Sequence, residues 1–236
     1  EVNKKGNSTY DTAWCEPKLF VIDILDDEGN ADREELPIYG VRYSEEDFFE
    51  LLKRYLRKIK IEEAKQVQII ADGATWIWNN AKELLEELGV ATEKIVETLD
   101  AYHATKYVNE LVDNMPQRIT GTERKNYLTV FKEALWKGNA NTITATCREV
   151  YKKQNDTVRR AINYLDKHLD RMQYADFQNN KLMCGSGIVE SAIRRVINLR
   201  FKNASTFWGK EIVEKLYFFR SAVLAGRWDT VIYNIN

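Results

Sequence analysis

The sequence has few of the residues that interrupt or staple a chain. In 236 residues there are three prolines, three cysteines and two histidines. No Ser/Gly-rich or Pro-rich tract marks a flexible linker, so the chain reads as one large domain or a core domain carrying an inserted one. Cys15, Cys147 and Cys184 are far apart and odd in number. They offer neither a disulfide framework nor a zinc site, and they fit a reducing cytoplasm. No run approaches the ~20 apolar residues that span a bilayer, and nothing at the start reads as a signal peptide. A cytoplasmic protein without a membrane partner is expected. With 44% apolar and 30% charged residues, the composition is globular rather than disordered.

A dominant charge is also lacking, since the net charge is −1, but the charges are segregated. Acidic side chains outnumber Arg33 and Arg42 from Asp23 to Glu50. From Gly187 to Arg220, seven basic residues (Arg194, Arg195, Arg200, Lys202, Lys210, Lys215, Arg220) face three acidic ones (Glu190, Glu211, Glu214), an excess of four. Such a surface suits a phosphate backbone, and equally a solvated helix face.

The hydrophobic pattern gives the order of elements. Lys18–Leu25 (KLFVIDIL) is a strand closed by the turn Asp26-Asp27-Glu28-Gly29, and Leu36–Tyr43 is a weaker strand. Ser44 before Glu45, Glu46 and Asp47 is an N-cap, and Phe48, Leu51, Leu52, Tyr55, Leu56 and Ile59 follow at helical spacing. Val67–Ala71 is a short buried strand that delivers Asp72, and a helix over about Trp78–Leu88 leads to the strand Lys94–Leu99, ending at Asp100. This order predicts a mixed α/β sheet. From Thr105 to about Met172 helical stripes replace the β signal: Val108, Leu111, Val112, Met115; then Leu128, Phe131, Leu135; then Val158, Ile162, Leu165, Leu169. The expected organisation is therefore a first core segment over 1–104, an all-helical insertion over 105–180, and closing core helices over 181–236. Gln178–Lys181 reads as loop, and a last helix covers about Lys210–Leu224, stopping at Gly226.

Three places carry chemistry. Asp72 ends a buried strand beside Gly73, a position suited to a metal ligand with phosphate close to the backbone; Asp-Gly is also an ordinary turn. Asp100 and His103 stand at the next strand end, either as functional groups or as a polar pair capping the following helix; two ligands make no zinc site. Gly185-Ser186-Gly187-Ile188-Val189-Glu190-Ser191 opens a helix with glycines allowing a tight start and Ser186 available to cap it. Val189, Ile193, Val196 and Ile197 form its expected buried stripe. Glu190, Arg194 and Asn198, four apart, share another face, as ligand plus phosphate clamp or as a surface ion pair.

In order, Asp72-Gly73-Ala74-Thr75-Trp76-Ile77-Trp78, Leu99-Asp100-x-x-His103 and Gly185-x-Gly187-x-x-Glu190-Ser191 resemble the transposases of bacterial insertion sequences, on the Mutator-like branch of the DDE superfamily. So do Arg200-x-Lys202 with Phe207-Trp208, Leu224-Ala225-Gly226-Arg227-Trp228-Asp229, and Tyr10-Asp11-Thr12-x-Trp14-x-Glu16-Pro17-Lys18-Leu19, so the likeness runs through nearly the whole chain. The resemblance implies an RNase H-like catalytic domain with a helical insertion before its C-terminal catalytic helix. The implied activity is cleavage and joining of double-stranded DNA, at transposon ends and target, with Mg²⁺ or Mn²⁺, by a homo-oligomer at the bacterial nucleoid. Asp72 matches the second catalytic aspartate and Glu190 the catalytic glutamate, both metal ligands. Asp100 and His103 match the branch's Asp-x-x-His motif, with His103 a further catalytic candidate. Arg194, Arg195, Arg200 and Lys202 are the implied DNA contacts.

The first catalytic aspartate has no match. In the family it lies on a strand ahead of the part that Lys18–Leu25 resembles, so the chain reads as a fragment lacking its first strand and inactive as such. Asp23 could stand in only if two strands rather than three preceded the helix at Phe48. A DNA-binding remnant without catalysis and a helical scaffold protein are the alternatives.

Overall fold

The computed structural model describes residues 16–32, 36–202 and 208–233. Tyr10–Trp14 and Phe207 of the motifs above lie outside these residues. The architecture is mixed α/β, with two separate two-stranded sheets among the described residues. Strands β1 (Lys18–Ile22) and β2 (Ile38–Arg42) pair antiparallel. Strands β3 (Val67–Ala71) and β4 (Ile95–Leu99) pair parallel, with Ala71 opposite Leu99. The apolar, β-branched runs set these strands. β3 has the bounds that the sequence pattern reads; the other three are a little shorter, because the ladder stops before the run does: Leu25 makes only an isolated bridge to Ala31.

Helix α1 (Glu45–Lys58) starts where Ser44 accepts a hydrogen bond from the Asp47 amide, and it carries acids in its first turn and Arg57 and Lys58 in its last. It packs on β1, β2 and α2 (Thr75–Glu87), while α2 also touches β3. One helical layer thus lies on both sheets. Beneath it Leu56, Ile61, Leu84 and Leu85 form a core joined by Ile22 of β1 and by Val67 and Ile69 of β3. The sheets meet a common core but not each other's backbone.

Helix α3 (Ala101–Asp113) follows β4 directly. Then come α4 (Gly121–Trp136), α5 (Ala140–Val150), α6 (Asp156–Lys167) and α7 (Tyr174–Asn179). Side-chain caps set two of the starts: a reciprocal Thr120–Glu123 capping box opens α4, and Asn155 caps α6. Gln178 and Asn179, expected in a loop, close α7 instead, because Tyr174 and Phe177 bury against the core. Leu111, Leu135, Ile143 and Leu165 are fully buried in one cluster that also takes in Ala71 and Leu99 of the β3–β4 sheet. The helical segment is therefore continuous with the core under the strand ends. The buried Tyr174 hydroxyl adds a tie, donating to the Leu99 carbonyl at 2.9 Å.

The C-terminal part runs through α8 (Gly187–Ala192), a π-helical stretch Ile193–Asn198 and α9 (Leu199–Phe201), then α10 (Lys210–Leu224) and α11 (Trp228–Tyr233). The buried face differs from the expected stripe. Ala192 and Val196 are buried, Val189 and Ile197 are half-buried and Ile193 is exposed. Residues four apart share a face, so Ala192 and Val196 turn inward together and Ile193, one residue on, turns outward. Ala192 and Val196 join Tyr39, Val41, Val213 and Tyr217 in a core over the β1–β2 sheet. No helix among the described residues is long and apolar enough to cross a membrane.

Candidate active site

The parallel register of β3 and β4 fixes the geometry. Because Ala71 pairs with Leu99, Asp72 and Asp100 leave neighbouring strands at the same edge, and the Asp100 amide donates to the Ala71 carbonyl at 2.9 Å. Asp72 is exposed; one of its oxygens accepts from the Ala74 amide at 3.0 Å and so closes the turn into α2. Gly73 has a reason other than phosphate approach. A Cβ there would lie 2.2 Å from Cε2 of Tyr164, whose ring, stacked on Tyr107 at 3.7 Å between centroids, fills the space. Lys167 of the same helix reaches Thr75 Oγ1 at 3.3 Å. Helix α6 is thus docked on the Asp72 turn.

Asp100 is almost wholly buried. Its Oδ1 caps α3, accepting from the amides of Tyr102 (2.6 Å) and His103 (3.3 Å). Its Oδ2 accepts from the Ser186 amide at 3.0 Å and from the Ser186 hydroxyl. This corrects one expectation: the Ser186 side chain does not cap its own helix, because its hydroxyl is drawn to the buried carboxylate, to which it donates. Burial works to raise the Asp100 carboxyl, but the His103 side chain and the amides of Ser186, Tyr102 and His103 outweigh it and hold the acid below the ordinary range. The glycines at 185 and 187 meet no atom within 4 Å of a built Cβ, and neither has positive φ. Open space surrounds these two positions.

His103 Nδ1 lies 3.8 Å from Asp100 Oδ2. The Asp100 carboxylate, with a smaller contribution from Asp72, raises the imidazole pKa despite partial burial. His168 is the opposite case: buried, and close to Arg171 and Lys167, it is pushed down to about 4. The linkage signs are therefore opposite. His103 stabilises the fold fully below the unfolded value of about 6.5 and loses that contribution as pH rises through its higher folded pKa. His168 destabilises it as pH falls from about 6.5 toward its own pKa, because the unfolded chain takes up the proton first. A ¹H–¹⁵N NMR titration should find one ring titrating above 6.5 and one near 4. Asp100→Asn should move only the first, downward. Two rings titrating together would refute this geometry.

Glu190 and Arg194 are both exposed, with no ion pair between them among the described residues. Arg195 is engaged: its guanidinium donates to the Tyr39 hydroxyl at 2.9 Å and lies over that ring. Its carbonyl accepts from Arg220 Nε at 2.6 Å. Arg200 and Lys202 are exposed. Asp23, just past β1, is half-buried, and one of its oxygens has no partner; burial raises its carboxyl. Among the described residues two strands precede α1, the number that Asp23 as the first catalytic acid would require.

Among the described residues no three His, Cys, Asp or Glu side chains are grouped to hold a metal. Asp72 and Glu190 supply hard oxygens, but the oxygens of Asp100 are taken up by four donors. These residues alone do not fit a pair of divalent ions shared by three carboxylates. The sequence singles out Asp72, Asp100, His103 and Glu190 as candidates but gives no sign of the contact of Tyr164 with the Asp72 turn or of the role of Ser186. Nothing in the spacing of a lone Gln or Tyr marks a contact made about a hundred positions away. Neither family models nor curated proteins nor solved structures give a match to the chain.

Proposed function

We propose that the chain is the larger part of a DDE-type transposase catalytic domain, RNase H-like in fold, which binds duplex DNA and does not by itself cut it. The observation that carries this reading is convergence. Asp72, the Asp100–His103 step and the Gly185–Glu190 block are up to 118 positions apart (190 − 72). The strand register joins the first two, and the Ser186–Asp100 hydrogen bonds bring the third to the same edge. A helical scaffold has no need of that. The two half-sheets under one helical layer also suit an RNase H-like sheet whose central strand is not among the described residues. Among the described residues β1 and β3 each have one edge with no strand paired to it. That strand would carry the first aspartate, and with two of three carboxylates present no step on this chain runs through a metal. What the chain itself offers DNA is the basic C-terminal stretch.

The test is fluorescence anisotropy with labelled duplex DNA in chelator across a salt series. Affinity should fall steeply with salt, log K against log[salt] having a slope of about −0.9 per phosphate contact. Arg194→Ala should weaken binding uniformly and reduce that slope by about 1. Arg195→Ala should instead lower Tm, because that side chain holds Tyr39. Salt-independent or absent binding would leave the scaffold reading standing.

A further inference from the structure

The segment that leads into α8 is strapped to the start of β3 and to the residues that follow β4, at three successive points. Gln68 of β3 holds Met183 on both sides: its Nε2 donates to the Met183 carbonyl at 2.7 Å, and its Oε1 accepts from the Met183 amide at 3.0 Å. The same Nε2 reaches the buried Thr98 hydroxyl of β4 at 2.8 Å, which fixes the amide's orientation. The Ala101 amide donates to the Cys184 carbonyl at 2.9 Å. Asp100 then takes the Ser186 amide and hydroxyl. Gly185 and Gly187 have no neighbours within 4 Å of a built Cβ, so packing at the glycines does not orient the start of α8. The Val189 and Glu190 amides return to the Ser186 carbonyl at 2.8 and 3.1 Å, so the position of Ser186 sets the first turn.

We infer that Asp100 is a positioning residue: through Ser186, and with Gln68 holding Met183, it locks the start of α8 to the edge where β4 ends, so that the helical segment bearing Glu190 and Arg194 begins at the edge that carries Asp72. Asp100 is thereby not a ligand. Each of its oxygens serves a different element, Oδ1 the start of α3 and Oδ2 the start of α8. The bearing on DNA rests on the reading above; the lock itself does not.

The double duty of the carboxylate supplies the test. Asparagine is as good an N-cap as aspartate, so Asp100→Asn can keep its oxygen on α3 while its amino group faces the Ser186 amide, donor against donor. A role in capping alone predicts no change; the lock predicts a local one. By hydrogen exchange, the amides of Ser186, Val189 and Glu190 should exchange at least about tenfold faster in Asp100→Asn, as expected when hydrogen bonds to a charged group are lost. The amides of Tyr102 and His103 should be unchanged. Ser186→Ala should give a smaller increase at the same positions, and Gln68→Ala should free Met183. These variants remove little volume, and a far-UV circular dichroism spectrum like that of the wild type identifies a folded protein. Unchanged exchange at 186–190, or equal loosening of α3 and α8, overturns the proposal. In the DNA assay Asp100→Asn should weaken binding several-fold. A wild type that binds no DNA removes the functional reading, and the exchange data still decide the lock.

Discussion

Extended upstream by a strand bearing the first aspartate, the chain is expected to cut DNA carrying the element's ends in Mg²⁺ or Mn²⁺; the 236-residue chain is expected not to. Asp72 and Glu190, the two acids that the resemblance assigns as ligands, would by themselves leave the charge of two divalent ions under-compensated. Each ~1.4 kcal/mol of lost transition-state stabilisation is tenfold in rate, so losing a ligand costs orders of magnitude. The added strand also has somewhere to pair. Among the described residues β1 and β3 both have an unpaired edge, and Ile22, Val67 and Ile69 already share a core beneath α1 and α2. Tm should rise with the extension, since unpaired backbone groups would gain partners. Strong metal-dependent cleavage by the unextended chain, abolished by Asp23→Asn, would make Asp23 the first acid. Inactivity of both proteins would favour DNA binding without catalysis.

The second large effect is expected at Gly73. A Cβ would sit 2.2 Å from the Tyr164 ring, which cannot retreat because it is stacked on Tyr107 and in edge contact with the buried His168. Gly73→Val should cost about 3 kcal/mol, the upper part of the range for overpacking, and lower Tm by ~6–12 °C for a chain of this size. The partner is named by a double-mutant cycle: in a Tyr164→Ala background most of the cost of Gly73→Val should vanish. If the glycine instead serves phosphate approach, Gly73→Val should leave Tm alone and reduce DNA affinity.

Local pattern set most of the secondary structure. Ser44 with three acids behind it could only start a helix, and VQIIA before Asp72 could only be a short strand. The 3.6-residue stripes after His103 named Leu111, Leu135 and Leu165 as core before any contact was known. The candidate residues were legible for the same reason: an aspartate at the end of an apolar strand run is marked by its neighbours in sequence. Periodicity set the buried face of the last helical segment one residue off. The stripe ran through Ile193, which is exposed, where the adjacent Ala192 is buried.

By itself, then, the sequence determined the α/β order, the helical segment within it and the polar residues at the ends of β3 and β4, because hydrophobic period and capping act over a few residues. Only the tertiary structure decided what those residues do. That Ser186 serves Asp100 rather than its own helix, that Gly73 yields to Tyr164, that Arg195 is spent on Tyr39 and that Gln68 holds Met183 all depend on contacts across 86 to 156 positions. Such pairings are set by strand register and by which buried acceptor is strongest, and neither is written in local spacing.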